Sequence, residues 1–341
     1  MEVVAVEAVA VAVAEVRHSN VKTEFVLQWH ITHRCNLRCR HCYQHDYTAF
    51  FDDRKIMQNI LSQFEELLNT YHYRGHINIT GGEPTLHKDL WWLLKECAER
   101  NISTALLTNG TTLTVQDAER LKAFGITYAQ ISLDGCEKIH EAIRGKDSFH
   151  RAVNGITALK SQGIYTDVSF TVQRENIKEL KPLSKLCYQM GVDKLWFDRV
   201  VIPKDEDKQH LSLDRETYRK FCQSASKLNR KGKVSCARAL QFLPCKNKHI
   251  YHCTAGKTLL TLLADGTVMP CRRLPLIAGN VKKNDLLSIY QNSPLLQQLR
   301  NTTLPSECSN CLYANDCQGG AKCIAYARTE KFDVRDPDCF I

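Results

Sequence analysis

Phe25-Val26-Leu27-Gln28-Trp29-His30-Ile31-Thr32 leads within two residues into Cys35-Asn36-Leu37-Arg38-Cys39-Arg40-His41-Cys42. The first run is apolar and rich in β-formers, as a buried strand is. The second places three thiols on one short loop at that strand's C-terminal end. Further candidate strands are His76–Thr80, Thr104–Thr108, Tyr128–Leu133, Thr166–Val172 and Lys194–Val201. Helical patterns separate them at Lys55–Tyr71, Lys88–Arg100, Thr114–Phe124, Phe149–Gln162 and Ile177–Met190. Gly125, Gly163 and Gly191 each follow a periodic segment, as left-handed C-cap residues do. Strand–helix alternation implies an α/β fold with parallel strands joined by right-handed crossovers. Six units predict a partial, TIM-like (β/α)6 barrel, short of the eight of a closed one. Sites in such sheets sit at the C-terminal ends of strands.

The pattern changes near residue 232. Thr258–Leu263, Ala264-Asp265-Gly266 and Thr267–Met269 read as a β-hairpin. From Cys308 to Ile341 the chain has little apolar periodicity and many cysteines, so its stability points to metal. The expected division is 1–22 as a tail or added strand, 23–231 as the α/β core and 232–341 as a small Cys-rich domain. The chain has 341 residues, 43% hydrophobic and 24% charged, which excludes disorder or coiled coil as its main content. The formal charge of +9 is scattered rather than blocked, so no nucleic-acid partner is expected. No uncharged apolar run reaches about 18 residues, so no membrane span is expected. Met1–Val16 is a Val/Ala repeat broken by Glu2, Glu7 and Glu15, without the basic start of a secretory signal. A cytoplasmic, reducing compartment is therefore expected. There, 16 Cys suggest metal or redox chemistry rather than disulfides.

Taken alone, the spacing C-x3-C-x2-C suits zinc or structural thiols as well as a cubane with three irons held and one left open. Thr80-Gly81-Gly82-Glu83-Pro84 closes the second candidate strand, and its glycines permit close backbone approach. Thr108-Asn109-Gly110 closes the third and Ser132-Leu133-Asp134-Gly135 the fourth, each equally a turn former and a site candidate. Gln173 and Asn176 after the fifth, and Asp198 and Arg199 on the sixth, are further candidates. Cys136 follows the Asp134-Gly135 turn and is expected to face the cavity. Asp198 and Cys136 are the catalytic candidates. Cys253, Cys271, Cys308, Cys311, Cys317, Cys323 and Cys339 form a second, C-terminal series. A closed four-thiolate zinc site is one reading of that region. Cys97 and Cys187 fall in helical patterns, as small buried hydrophobes do.

Cys35-x3-Cys39-x2-Cys42, followed by Tyr43, resembles the signature of the radical S-adenosylmethionine (SAM) superfamily, and the likeness runs from about Thr23 to Cys339. The resemblance implies a [4Fe–4S] cluster on these three thiols whose open iron chelates SAM. One electron then cleaves SAM to a 5′-deoxyadenosyl radical, which takes a hydrogen atom from substrate. It implies SAM contacts from Tyr43 and from Gly81, Gly82, Glu83 and Pro84, the last group around the methionine ammonium. Asn109, Ser132 and Asp134 are implied near the ribose and carboxylate, with Arg144 reaching that carboxylate. The C-terminal series resembles the SPASM extension, which carries two auxiliary [4Fe–4S] clusters. Cys253, Cys271 and Cys323 are implied for the first, and Cys308, Cys311, Cys317 and Cys339 for the second. The chain departs from that pattern in its five-residue Cys317–Cys323 gap and in lacking an evident fourth ligand for the first cluster. Either Cys236 or Cys245 supplies that ligand, or an iron stays open. By the same resemblance the substrate is a ribosomally made peptide or protein, the electron donor is of flavodoxin or ferredoxin type, and haem or other cofactor synthesis is the alternative. Cys271-Arg272-Arg273 lacks the Asp that formylglycine-forming relatives place there.

Overall fold

The computed structural model describes residues 23–51, 53–203, 207–229, 232–245 and 250–341. The expected N-terminal tail lies outside them. Among the described residues nine strands form one sheet: β1 (Glu24–Thr32), β2 (Arg74–Gly81), β3 (Ser103–Thr108), β4 (Tyr128–Ser132), β5 (Tyr165–Val172), β6 (Lys194–Arg199), β7 (Leu259–Leu262), β8 (Thr267–Met269) and β9 (Gly279–Asn280). Their order is β6-β5-β4-β3-β2-β1-β7-β8-β9. Strands β1 to β6 are parallel neighbours in sequence order, as the alternation predicts. The expected hairpin forms from β7 and β8, pairing Thr261 with Met269. What the sequence did not indicate is that β7 adds parallel to the free edge of β1, with Trp29 opposite Leu262. The Cys-rich segment therefore enters through the same sheet as the core.

The helices are α1 (Arg54–Tyr71), α2 (Leu90–Glu99), α3 (Val115–Ala123), α4 (Glu137–Arg144), α5 (Ser148–Ser161) and α6 (Leu180–Gln189), and all but α4, which stands beside the thiol loop, cover the outer face. Alternation along the strands decides which side they cover. Phe25, Leu27, Trp29 and Ile31 of β1 are fully buried, as are Ile77, Ile79, Ala129, Ile131 and Val168 on its neighbours. Each such aliphatic or aromatic side chain contributes about 1.5–3 kcal/mol by leaving water. In α1, Met57, Ile60, Leu61, Phe64, Leu67 and Leu68 recur at helical spacing and meet that face. Cys97 and Cys187 are buried among the same side chains. The intervening positions, Gln28, Asn78, Gln130, Ser132, Ser169, Thr171, Trp196 and Asp198, line the concave inner face. The sheet is thus apolar toward its helices and polar toward its hollow.

Gly125, Gly163 and Gly191 adopt φ of +80°, +65° and +67°, the conformation expected of them as helix stops. Helix α4 is absent from the sequence reading. Its eight residues carry only Ile139 and Ile143 as an i, i+4 apolar pair, too short a pattern to read as helix.

The C-terminal segment is docked by charge. Arg199, at the end of β6, donates from Nη1 to Asp336 Oδ1 (2.9 Å) and Asp338 Oδ2 (2.8 Å), and from Nη2 to Asp336 Oδ2 (2.7 Å). All three side chains are buried, and the guanidinium lies 4.5 Å over the Tyr218 ring. Removing one member strands the others without water. Arg199→Ala is therefore expected to cost about 3–5 kcal/mol of unfolding free energy, measured by urea denaturation. A loss below about 1 kcal/mol, the range of exposed pairs, contradicts this role.

Candidate active site

The loop bearing Cys35, Cys39 and Cys42 emerges from β1 over the C-terminal edge of the sheet. Backbone contacts fix its entry. Gly82 N–H donates to Thr32 O (2.7 Å) and Glu83 N–H to Arg34 O (2.7 Å). A Cβ on Gly81 would stand 2.3 Å from Thr32 O, and one on Gly82 would stand 2.3 Å from Arg34 O. The glycines thus let two backbones touch, which only a residue without a side chain allows. Glu83 lies beneath, fully buried. Its Oε1 accepts from Thr108 Oγ1 (2.6 Å) and Thr85 Oγ1 (2.7 Å), and its Oε2 from the Asn109 N–H (2.8 Å). The carboxylate clamps the ends of β2 and β3. Gly81 and Gly82 line the cavity, whereas Glu83 and Pro84 do not.

Further contacts reach the sulfurs. The Leu37 N–H lies 3.4 Å from Cys35 Sγ. Asn109 Nδ2 lies 3.9 Å from the same sulfur and donates to Asn36 Oδ1 (2.9 Å). Helix α4 supports the far side. The Arg40 N–H donates to Ile143 O (2.9 Å), and Arg144 Nη1 stands 3.8 Å from Cys39 Sγ. Arg144 Nε donates to Asp134 Oδ2 (2.6 Å), and Asp134 Oδ1 accepts from the Thr171 N–H (2.9 Å). Burial alone would raise the Asp134 carboxyl, but the charge and hydrogen bond of Arg144 outweigh it and hold it below the ordinary range. Asp134 is fully buried and, unlike Arg144, does not line the cavity. Its side chain positions Arg144.

The cavity measures about 460 Å³. Cys35, Cys39, Cys42, Tyr43, Asn109, Ser132 and Arg144 line it, together with Asp198 and with Cys253, Cys271 and Cys323 from the C-terminal series. Cys308, Cys311, Cys317 and Cys339 line a separate cavity of about 210 Å³, walled by Leu240, Phe242 and Tyr313. The seven C-terminal thiols therefore fall at two cavities, three at the central one and four at the separate one. Cys236 is buried away from both cavities, and the side chain of Cys245 lies outside the described residues. Cys136 is not at the cavity. The Gly135 turn (φ +145°) sends it to the N-terminus of α4, where its N–H donates to Glu179 Oε2 (2.8 Å). Asn176 is likewise structural, its Nδ2 donating to Thr171 O (2.9 Å) and Asp134 O (3.1 Å). Asp198 pairs with Arg273, which also donates to Arg199 O (2.8 Å). Burial would raise Asp198, yet Arg273, Arg238 and Arg199 hold it low and charged.

The donor set fits iron–sulfur chemistry. Soft thiols are grouped in three, three and four, with N–H donors or guanidiniums at Cys35 and Cys39. Among the described residues no three His, Cys, Asp or Glu side chains close on one point as a single ion requires. A cubane holds its thiolates on separate irons. Burial, partly offset by Arg144, keeps Cys39 up at about 11, so metal loading must release protons. The sequence reading missed the arginines of the cavity, Arg238, Arg272 and Arg273. Only the Cys271-Arg272-Arg273 run advertises two of them.

Asn109→Ala and Arg144→Gln each remove a contact to a loop sulfur while leaving the three cysteines. Losing such an outer partner weakens metal retention by roughly 10–100-fold. The expected outcome is faster loss of iron to a chelator and a smaller fraction of the reduced-cluster EPR signal that shifts with SAM. Unchanged retention in both variants contradicts the assignment.

The sequence pattern of the Radical SAM superfamily matches residues 29–187, and that of the SPASM iron–sulfur cluster-binding domain matches residues 253–312. The AdoMet-dependent heme synthase of Oleidesulfovibrio alaskensis is 26% identical, over 92% of this chain and 86% of that protein. The mycofactocin maturase MftC of Mycolicibacterium smegmatis is also 26% identical, over 92% and 82%. Streptococcus suis SuiB bound to S-adenosylmethionine superposes with a TM-score of 0.71 at 18% identity, covering 93% of this chain and 77% of that one. The anSMEcpe structure with bound AdoMet and Cp18Cys peptide gives 0.70 at 19% identity, covering 88% and 90%. With its thiol loop at the C-terminal ends of the parallel strands β1–β6 and its cysteine-rich extension joined to the same sheet through β7, the chain carries a radical SAM domain over residues 29–187 and a SPASM iron–sulfur cluster-binding domain over residues 253–312.

Proposed function

We propose that the chain modifies a ribosomally made peptide or protein, by a thioether or carbon–carbon cross-link or a related oxidation, through hydrogen-atom abstraction in the 460 Å³ cavity. The observation that supports this most is the cavity's shared wall. The Cys35, Cys39 and Cys42 loop and the Cys253, Cys271 and Cys323 group line the same hollow, so a substrate between them touches both redox sites. When bound, the cluster and SAM supply reductive sulfonium cleavage and the hydrogen-abstracting group.

The rest falls to this chain's residues. Cys35, Cys39 and Cys42 would hold the SAM cluster, with Cys253, Cys271, Cys323 and the outer four thiols holding the auxiliary ones. Gly81 and Gly82 keep the wall beside the loop free of side chains. Asn109 and Arg144 set the loop's geometry. Ser132 and Ser169 present hydroxyls 3.4 Å apart, for the polar groups of a ligand. Asp198, kept ionised by Arg273, can accept a hydrogen bond from a substrate N–H or O–H. Tyr43 and Trp196 give the cavity its aromatic wall. A flavodoxin- or ferredoxin-type protein would supply electrons.

A second reading has its own support. The haem-pathway relatives are similar over nearly the whole chain, and a tetrapyrrole carries carboxylates suited to an arginine-lined cavity.

Protein reconstituted anaerobically with iron and sulfide, then given SAM and dithionite, is expected to form 5′-deoxyadenosine. The Cys35→Ala, Cys39→Ala, Cys42→Ala triple variant is expected to form none. Coexpression with peptides encoded beside the gene should give a peptide mass change that needs those three cysteines. A fully loaded enzyme that leaves SAM intact refutes the proposal, and a mass change equal with the triple variant assigns the modification to another enzyme.

A further inference from the structure

Five arginines line the central cavity, Arg144, Arg199, Arg238, Arg272 and Arg273, against one acidic residue, Asp198. Three are already committed: Arg144 to Asp134, Arg199 to Asp336 and Asp338, and Arg273 to Asp198. Arg238 and Arg272 have no carboxylate within 4 Å among the described residues. Each is fixed by stacking instead. Arg238 lies 4.3 Å over the Trp196 ring, and Arg272 lies 4.2 Å over the Tyr43 ring while donating to Tyr43 O (3.1 Å). Stacking occupies the face of a guanidinium and leaves its N–H edge for a planar anion. Both are half-buried, so an unpaired charge there is costly and a carboxylate ligand relieves it. The thiols do not account for them. The guanidiniums bearing most on Cys39, Cys271 and Cys323 are those of Arg144 and Arg273.

We infer that the cavity selects a substrate bearing carboxylates, and that Arg238 and Arg272 are the residues that grip them. This rests on the reading that the cavity is the substrate site of a SAM-cleaving enzyme. The carboxylates come from the propionates of a tetrapyrrole or from the acidic residues of a peptide, and the chemistry recognised is the same.

The test uses the reconstituted, SAM-loaded enzyme and four probes: coproporphyrin III, its tetramethyl ester, a hexaglutamate peptide and a hexaglutamine peptide. Affinity is read by quenching of tryptophan fluorescence and by calorimetry. At least one acidic probe is expected to bind about tenfold or more tighter than its neutral counterpart. Preference for the porphyrin or the peptide identifies the source. Arg238→Gln and Arg272→Gln should each lose about tenfold in affinity for the acidic probe and nothing for the neutral one. Arg238→Lys and Arg272→Lys, which keep the charge but not the fork, should fall between. Iron content and thermal unfolding report the integrity of each variant. Equal binding of acidic and neutral probes, or unchanged affinity in both Gln variants, overturns the inference and leaves SAM cleavage standing. Failure of the loaded wild-type protein to form 5′-deoxyadenosine overturns both.

Discussion

A loop that offers three thiolates must be rigid along its backbone and open at its sulfurs, and the contacts around Cys35–Cys42 divide between these demands. Rigidity comes from below and beside. The Gly81-Gly82 backbone lies against the carbonyls of Thr32 and Arg34, and the buried Glu83 carboxylate ties that turn to Thr108 and Asn109. A buried carboxylate is costly unless its lone pairs are satisfied, and here the ends of two strands satisfy them. Helix α4 closes the other side through Ile143 and Arg144. A loop ordered in advance need not lose its entropy when metal and cofactor arrive.

Openness follows from the strand period. A parallel sheet covered on both faces is apolar throughout, but this one is covered on its outer face only. Its inner positions are free to be polar, and Gln28, Gln130, Ser132, Ser169 and Asp198 occupy them. The hollow is roofed by the C-terminal segment, which arrives by two routes. Strand β7 extends the sheet beyond β1, and Arg199 holds Asp336 and Asp338 at the opposite edge, on β6. The span between those anchors carries Cys271 and Cys323, so thiols more than two hundred residues from Cys35 line the same hollow.

The cavity is cationic by construction. Its guanidiniums serve different ends: one sets a sulfur, one docks a domain, one holds Asp198 ionised. Two, Arg238 and Arg272, have aromatic faces behind them and no carboxylate within 4 Å among the described residues. That asymmetry distinguishes this pocket from a merely polar one.

Local pattern in the chain was enough to reveal the six parallel strands, their covering helices and the hairpin, because period, caps and turn residues are properties of neighbours in sequence. The positive φ of Gly125, Gly163 and Gly191 belongs to the same class. The thiol loop was legible because all its donors lie within eight residues. Helix α4 was not, having too few turns for periodicity to register. Nor was the pairing of β7 with β1, since a strand edge carries no mark of its partner. The GGEP glycines were visible as glycines, but only tertiary contact shows that they make room for another backbone. Asp134 and Cys136 stand two residues apart, yet one sets Arg144 and the other turns away. The arginines of the cavity are scattered in sequence from 144 to 273, and their convergence is a fact of folding alone, because charge at a distance leaves no periodic trace in the chain.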